Sequence, residues 1–134
     1  MFNEVSLLML EHGTFSVVLE GNLLSITLLG TFNDIATLSA CQQIEAKVES
    51  LNGQAFAILV NCIGYEGSTP DAHKISNQYL LWLNKINCIA LASIYSQNIY
   101  ADIVKNEQAA LFELKNRQEF NDLQEAKLWL LSQL

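Results

Sequence analysis

Between Ala55 and Thr69 the chain reads AFAILVNCIGYEGST, a continuous apolar run from Phe56 to Val60 that opens into a glycine-punctuated stretch. A strand wet on one face alternates apolar and polar positions, whereas one covered on both faces stays apolar throughout. The run is too short for a buried helix, and Gly53 precedes it closely. The pattern therefore predicts a central parallel strand, ended by Asn61 and Cys62. Ile63 to Ser68 then predicts a tight strand-to-helix loop. Thr69 is placed to cap the next helix, with Pro70 at its first position and Asp71 in its positive first turn. Ligands of open α/β sheets bind beyond the carboxyl ends of the strands. Gly64, Tyr65, Glu66, Gly67, Ser68 and Thr69 are thus the candidate loop or switch. The plainer reading is that glycine and proline only shape the connection.

Upstream, Thr14–Glu20 and Leu23–Leu29 are two β-rich runs separated by Gly21-Asn22, a two-residue hairpin turn. Leu24, Ile26 and Leu28 fall on one face of the second run, and Ser25 and Thr27 on the other. Gly30 and Thr31 break the pattern. Asn33 or Thr31 is placed to cap a helix whose inner stripe is Ile35, Leu38, Cys41, Ile44, Val48 and Leu51. Asn52-Gly53 stops it. Residues 1–12 fit a short strand, a helix turn or a loose arm, and residues 13–134 fit one domain.

The helix after Pro70 carries a broad apolar surface. Ala72, Ile75, Tyr79, Trp82, Leu83 and Ile86 share one face, and Leu80 and Leu81 point off it on either side. Such breadth fits a helix wedged among neighbours, a partner or dimer surface, or the wall of an apolar pocket. Asn87–Tyr95 is a second apolar strand. Ile99–Gln108 predicts a helix with Ile99, Ile103 and Val104 inward, and Leu111–Leu114 a short strand. Arg117 and Glu119 fall in a polar link. Asn121 is placed to cap a last helix, with Leu123, Ala126, Leu130 and Leu134 inward and Trp129 beside them. The order β-β-α-β-α-β-α-β-α implies an α/β fold: one mixed sheet opened by an antiparallel hairpin, with helices packed on it.

Composition narrows the function. Of 134 residues, 51% are hydrophobic and 16% charged, so the chain has apolar material for a real core. A net charge of -7 disfavours nucleic acid and anionic membrane surfaces as partners. The apolar runs are too short to span a bilayer, and no basic residue precedes Val5–Leu10 as in a signal peptide. A cytoplasmic location is the expectation. Cys41, Cys62 and Cys88 show no CxxC spacing and read as buried, reduced thiols. His12 and His73 lie far apart with no ligand-spaced company, so no metal site is expected. Gly64 to Ser68 lacks the Gly-Lys-Ser/Thr of a phosphate loop. His73 and Ser68 can approach across the first helical turn, but that pair alone is no triad. No catalytic residue and no cofactor is expected.

The ordered set of segments resembles the SpoIIAA-like family, relatives of the STAS domains. The likeness is carried by the opening hairpin GTFSVVLEGNLLSITLLGTFND, the strand AFAILVNC running into GYEGSTPDA, the strand IALASIY, and the close FNDLQEAKLWL with Phe120, Glu125-Ala126 and Trp129-Leu130. The resemblance implies a STAS-like mixed-sheet domain without a cofactor that acts through protein partners. It also implies phosphorylation of a serine at the start of the second helix, for which Ser68 and Thr69 are the candidates. On the residues alone, a serine ahead of a proline-started helix is more often a plain cap.

Two functions remain open. One is a non-catalytic interaction or regulatory module, a homodimer or a binder of another protein, using the second helix and the loop before it. The other is a binder of a small apolar, lipid-like ligand between the second and third helices and the sheet. Tyr65, Tyr79, Leu80, Leu81, Trp82, Tyr95 and Tyr100 supply the candidate surface or pocket.

Overall fold

Gly21-Asn22 folds the first strand, β1 (Thr14–Glu20), back on β2 (Leu23–Phe32), with Glu20 opposite Leu23 and Thr14 opposite Leu29. In this computed structural model, which describes residues 12–114 and 116–134, the chain continues through α1 (Asp34–Glu49), β3 (Phe56–Ser68), α2 (Pro70–Asn84), β4 (Cys88–Tyr95) and α3 (Asn98–Glu107). A 3₁₀ turn (Ala109–Glu113), β5 (Arg117–Phe120) and α4 (Leu123–Gln133) complete it. The strands lie in one sheet in chain order, β1-β2-β3-β4-β5, and every pair after the hairpin is parallel. The α/β mixed-sheet architecture read from the sequence is the one observed. The expectation for residues 1–12 falls, His12 apart, outside the described residues.

Alternation sorts side chains between the two faces of the sheet. On the inner face Leu24, Ile26, Phe56, Ile58, Cys62, Tyr65 and Leu91 pack under α1, α2, α3 and the 3₁₀ turn. On the outer face Leu23, Ala57, Leu59, Ala90, Ala92 and Ile94 pack under α4, through Ala126 and Leu130, both fully buried. Trp129 flanks that contact against Phe120, with ring centroids 5.6 Å apart.

Several boundaries differ from the pattern-based reading. β3 does not end at Asn61-Cys62, and Gly30-Thr31 does not end β2. Both strands run on, with Tyr65 paired to Gly30 and Ser68 to Phe32 across two register shifts. Gly64 does more than shape a turn. A Cβ on it would stand 2.5 Å from Leu29 Cδ2, so glycine leaves room for the Leu29 side chain to lie over β3. Thr69 caps α2 as expected, its hydroxyl accepting from Ala72 N.

Helix facing was read correctly at Ala72 and Ala126, both fully buried, and misread in parts of α1, α2 and α3. α1 turns Ala36, Ala40, Ile44 and Val48 inward, one turn apart, and leaves Ile35 and Leu38 exposed. Alanine brings the helix axis closer to the sheet than a leucine stripe would. Asn33 is its N-cap. α2 buries Ala72, His73, Leu80 and Leu83, so Leu80 is core while Leu81 stays exposed. α3 buries Ala101 and Val104 and leaves Ile99 and Ile103 outside.

The C-terminal third holds the remaining corrections. Ala109–Glu113 is 3₁₀, not a strand, because Asn77 Oδ1 accepts from Ala110 N at 2.8 Å and turns Ala110 and Leu111 inward. The fifth strand is instead the polar Arg117–Phe120, an edge strand whose charges suit an exposed flank. Asp122, not Asn121, caps α4, accepting from Glu125 N. Leu123 and Leu134 are exposed.

Candidate functional site

The inner face is not filled. Small side chains meet over its middle: Ala40 and Cys41 from α1, Ser76 from α2 and Ser93 from β4. The half-open cavity they leave is about 150 Å³. Its floor is Ile26 and Leu28 of β2, Ile58, Val60 and Cys62 of β3, and Leu91 and Tyr95 of β4. Tyr79, Leu80 and Leu83 of α2, with Val104, Gln108 and Leu111, close it from above. The pocket expected between α2 and α3 therefore extends to α1.

Polar groups are spaced around this apolar wall, most of them tied to another part of the fold. The hydroxyls of Tyr65 and Ser68 share a hydrogen bond. Tyr79 O–H donates to Glu45 Oε2 at 3.1 Å, joining α2 to α1. The Cys62 and Tyr95 side chains, neighbours across the β3–β4 ladder, are hydrogen-bonded. Thr37 Oγ1 donates to the Asn33 carbonyl at 2.8 Å. Behind the wall, Gln108 Nε2 and His73 Nδ1 lie 2.9 Å apart and both side chains are buried. An amide NH₂ only donates, so Nδ1 is the acceptor and the imidazole proton sits on Nε2.

Every ionisable group at the cavity is held in its neutral form. Burial pushes the Cys41 and Cys62 thiols up to about 12, and Tyr65 up to about 12 against the opposing bond from Ser68. Tyr95 and Tyr79 are raised by burial first, and then by neighbours that include Glu119 and Glu45 respectively. His73 is lowered by burial, with Glu107 pulling the other way. Asp, Glu, Lys, Arg and His are all missing from the described lining residues. A thiol this far from ionising is a poor nucleophile. Among the described residues, no three of His, Cys, Asp and Glu converge as metal ligands.

Of the residues singled out from the sequence, Tyr65, Ser68, Tyr79, Leu80 and Tyr95 come together on the cavity wall. Gly64, Glu66 and Gly67 lie along the extended β3, and Thr69 is the α2 cap. Trp82 stands outside the lining, edge-on to Tyr79 at 6.0 Å, and Tyr100 does the same to Tyr65 at 6.0 Å. Leu81 is 40% exposed. His73 and Ser68 do not form the pair that helical proximity suggested, since Gln108 and Tyr65 take them instead. Sequence reading missed Ser93 and Gln108. Ser93 had a signal, being the polar position in the run IALASIY.

The fold and cavity define a small mixed-sheet α/β domain with three helices over a hollow inner face and one helix behind. The fold is SpoIIAA-like. It is shared with an uncharacterised protein of the DUF3478 family from Shewanella loihica PV-4, whose crystal structure has a SpoIIAA-like fold. The TM-score is 0.61 at 16% sequence identity, over 90% of this chain and 95% of that one. No protein-family model and no curated protein matches the sequence. Among the described residues, no helix is long and apolar enough to cross a membrane.

Proposed function

We propose that this domain is a non-catalytic binding module whose inner cavity takes a small apolar ligand. The observation that carries this reading is the cavity of about 150 Å³ walled by apolar and uncharged side chains. A largely apolar space of that size is enough for a benzene-sized guest. Ligand sites are usually concave and mostly apolar, with a few placed polar groups. The neutral thiols and phenols around the cavity favour binding over chemistry.

Native mass spectrometry of the protein, purified gently from its own host, tests this reading. A small extra mass, present on the folded chain and lost on denaturation, is the expected result. A bare chain that no small aromatic stabilises against heat would overturn it.

A second reading, a regulatory module that acts through a protein partner or as a homodimer, is supported by the exposure of Leu81 on α2. The SpoIIAA-like fold agrees with it as an analogy of architecture. Size-exclusion chromatography with light scattering on the wild type and Leu81→Asp separates the two. A dimer lost in the variant would favour the second reading.

A further inference from the structure

The two edges of the sheet are built differently. β5 is four residues long and carries Arg117 and Glu119, the short, charged form that keeps an edge from pairing with another chain. β1 is seven residues long, with one charged side chain, Glu20, at its end and no proline, lysine or bulge along it. The hairpin settles which of its backbone groups face outward. Gly21, at φ 61°, and Asn22 are the central residues of a two-residue turn, so Glu20 and Leu23 form its hydrogen-bonded pair. Such pairs alternate along an antiparallel ladder. Thr14, Ser16, Val18 and Glu20 therefore direct their N–H and C=O groups to β2, and those of Phe15, Val17 and Leu19 point out of the sheet. Among the described residues no hydrogen bond reaches these outward groups.

The same strand is complementary to itself. Two copies of β1 laid antiparallel about a two-fold axis bond only where outward-facing residues meet, which sets odd-numbered residues opposite odd-numbered ones. Of the registers that allow this, the one centred on Val17 pairs the whole of Thr14–Glu20. Phe15 then meets Leu19 of the second copy, Val17 meets Val17, and Ser16 meets Val18. Glu20 meets Thr14, so the two carboxylates stand at opposite ends of the contact. On the inner face Phe15 and Leu19 are only partly buried at the rim of the core, and the second copy covers them. On the outer face α4 lies over β3, β4 and β5 and leaves Val18 46% exposed. Pairing gives Val18 a diagonal neighbour in Val18 of the second copy.

We infer that the free edge of β1 is a self-association surface, on which a second copy of this chain lays its own β1 antiparallel, so that two five-stranded sheets become one of ten. This goes beyond the ligand-binding reading and does not depend on it, because the cavity lies inside each copy between its helices and its sheet. It also differs from a dimer through Leu81, which stands on α2. Strand addition offers main-chain bonds to any extended segment. The match of Phe15 to Leu19, the self-pairing of Val17 and the separation of the Glu20 carboxylates favour a second copy over an unrelated strand. The contact is short and each copy carries a net charge of -7, so the dimer forms at high protein concentration and tightens as salt screens the repulsion.

The test is analytical ultracentrifugation of the full chain over a range of protein and salt concentrations, with amide hydrogen exchange read residue by residue. A dimer that grows with protein concentration is the expected result. In it the amides of Phe15, Val17 and Leu19 exchange at least about ten-fold more slowly than in the dilute monomer, while those of Ser16, Val18 and Glu20, already bonded to β2, change little. Val18→Lys sets two ammonium groups near each other across the axis and is expected to weaken the dimer at least about ten-fold while the monomer keeps its melting temperature. Leu81→Asp is expected to leave the dimer intact. A wild type that stays monomeric overturns the inference, as does a dimer in which the Phe15, Val17 and Leu19 amides stay fast. Protection of those amides in the monomer overturns it too, since another part of the chain then covers the edge. A dimer kept in Val18→Lys and lost in Leu81→Asp overturns it in favour of α2. The wild-type exchange pattern decides the matter even if a variant does not fold, and the ligand-binding reading stands or falls separately on its own mass measurement.

Discussion

Gln108 donates to His73 Nδ1 across 2.9 Å of buried space, fastening the end of α3 to the first turns of α2. A second tie, from Ala110 N to Asn77 Oδ1, lies one turn further on. Together they hold Val104, Gln108 and Leu111 over the cavity. Gln108→Ala leaves the imidazole acceptor buried with no donor. It is expected to lower stability by about 1–3 kcal/mol, read as a shift in the urea midpoint at unchanged slope.

The same contact makes part of the stability depend on pH. Burial lowers the His73 pKa in the folded chain, whereas in the unfolded chain it lies near the ordinary value of about 6.5. Above that value both states are neutral and the contribution is complete. As the pH falls below it the unfolded state takes up the proton first, so stability declines towards the folded pKa. His73→Gln removes the titrating group. Its loss of stability between about pH 7 and pH 5 should be shallower than that of the wild type, measured by denaturant titration across the range.

Adjacent leucines on α2 are expected to behave oppositely. Leu80 is 9% exposed and lines the cavity, while Leu81 is 40% exposed. Leu80→Asp buries an unpaired carboxylate and should cost more than about 3 kcal/mol, enough to unfold a marginal domain. Leu81→Asp should stay within about 1 kcal/mol of the wild type. Thermal melts followed by circular dichroism distinguish the two, and a Leu81→Asp chain that fails to fold would show that this residue belongs to the core.

The three thiols should be slow to react. Cys41, Cys62 and Cys88 are all pushed up to about 12 by burial. At pH 8 only about one in ten thousand is thiolate. A disulfide reagent should label the native chain orders of magnitude more slowly than the chain in urea. Because Cys41 and Cys62 border the cavity and Cys88 does not, an occupying ligand should slow the first two selectively, which mass mapping of the labelled sites would detect.

Turn chemistry made much of this fold readable. Gly21-Asn22 and the Thr69-Pro70 cap act within a few residues, and the structure keeps both. What escaped was set by neighbours distant in sequence. The extension of β3 to Ser68 depends on β2 continuing beside it, and Gly64 reads as a turn residue until Leu29 is seen against it. β5 has too little apolar character to announce itself, being an edge strand of Arg117, Gln118, Glu119 and Phe120. Helix faces failed where Ala36 and Ala40 outcompete Ile35 and Leu38, because a close axis favours small residues over greasy ones.

The cavity was half legible for the same reason. Tyr65, Tyr79 and Tyr95 stood out as aromatics with polar tips and do meet there. Trp82 and Tyr100 stood out equally and do not, since aromatic identity says nothing of which way a helix is rotated. The gap itself comes from what Ala40, Cys41, Ser76 and Ser93 leave unfilled.

The strands lie across the sheet in the order in which they occur along the chain. Each one therefore docks beside a strand that the ribosome has already delivered, and no late segment has to be threaded between two earlier ones. Loop closures stay short at every step, which favours rapid assembly. The growing sheet always has one unfinished edge, which β5 covers last, just ahead of the helix that seals the outer face.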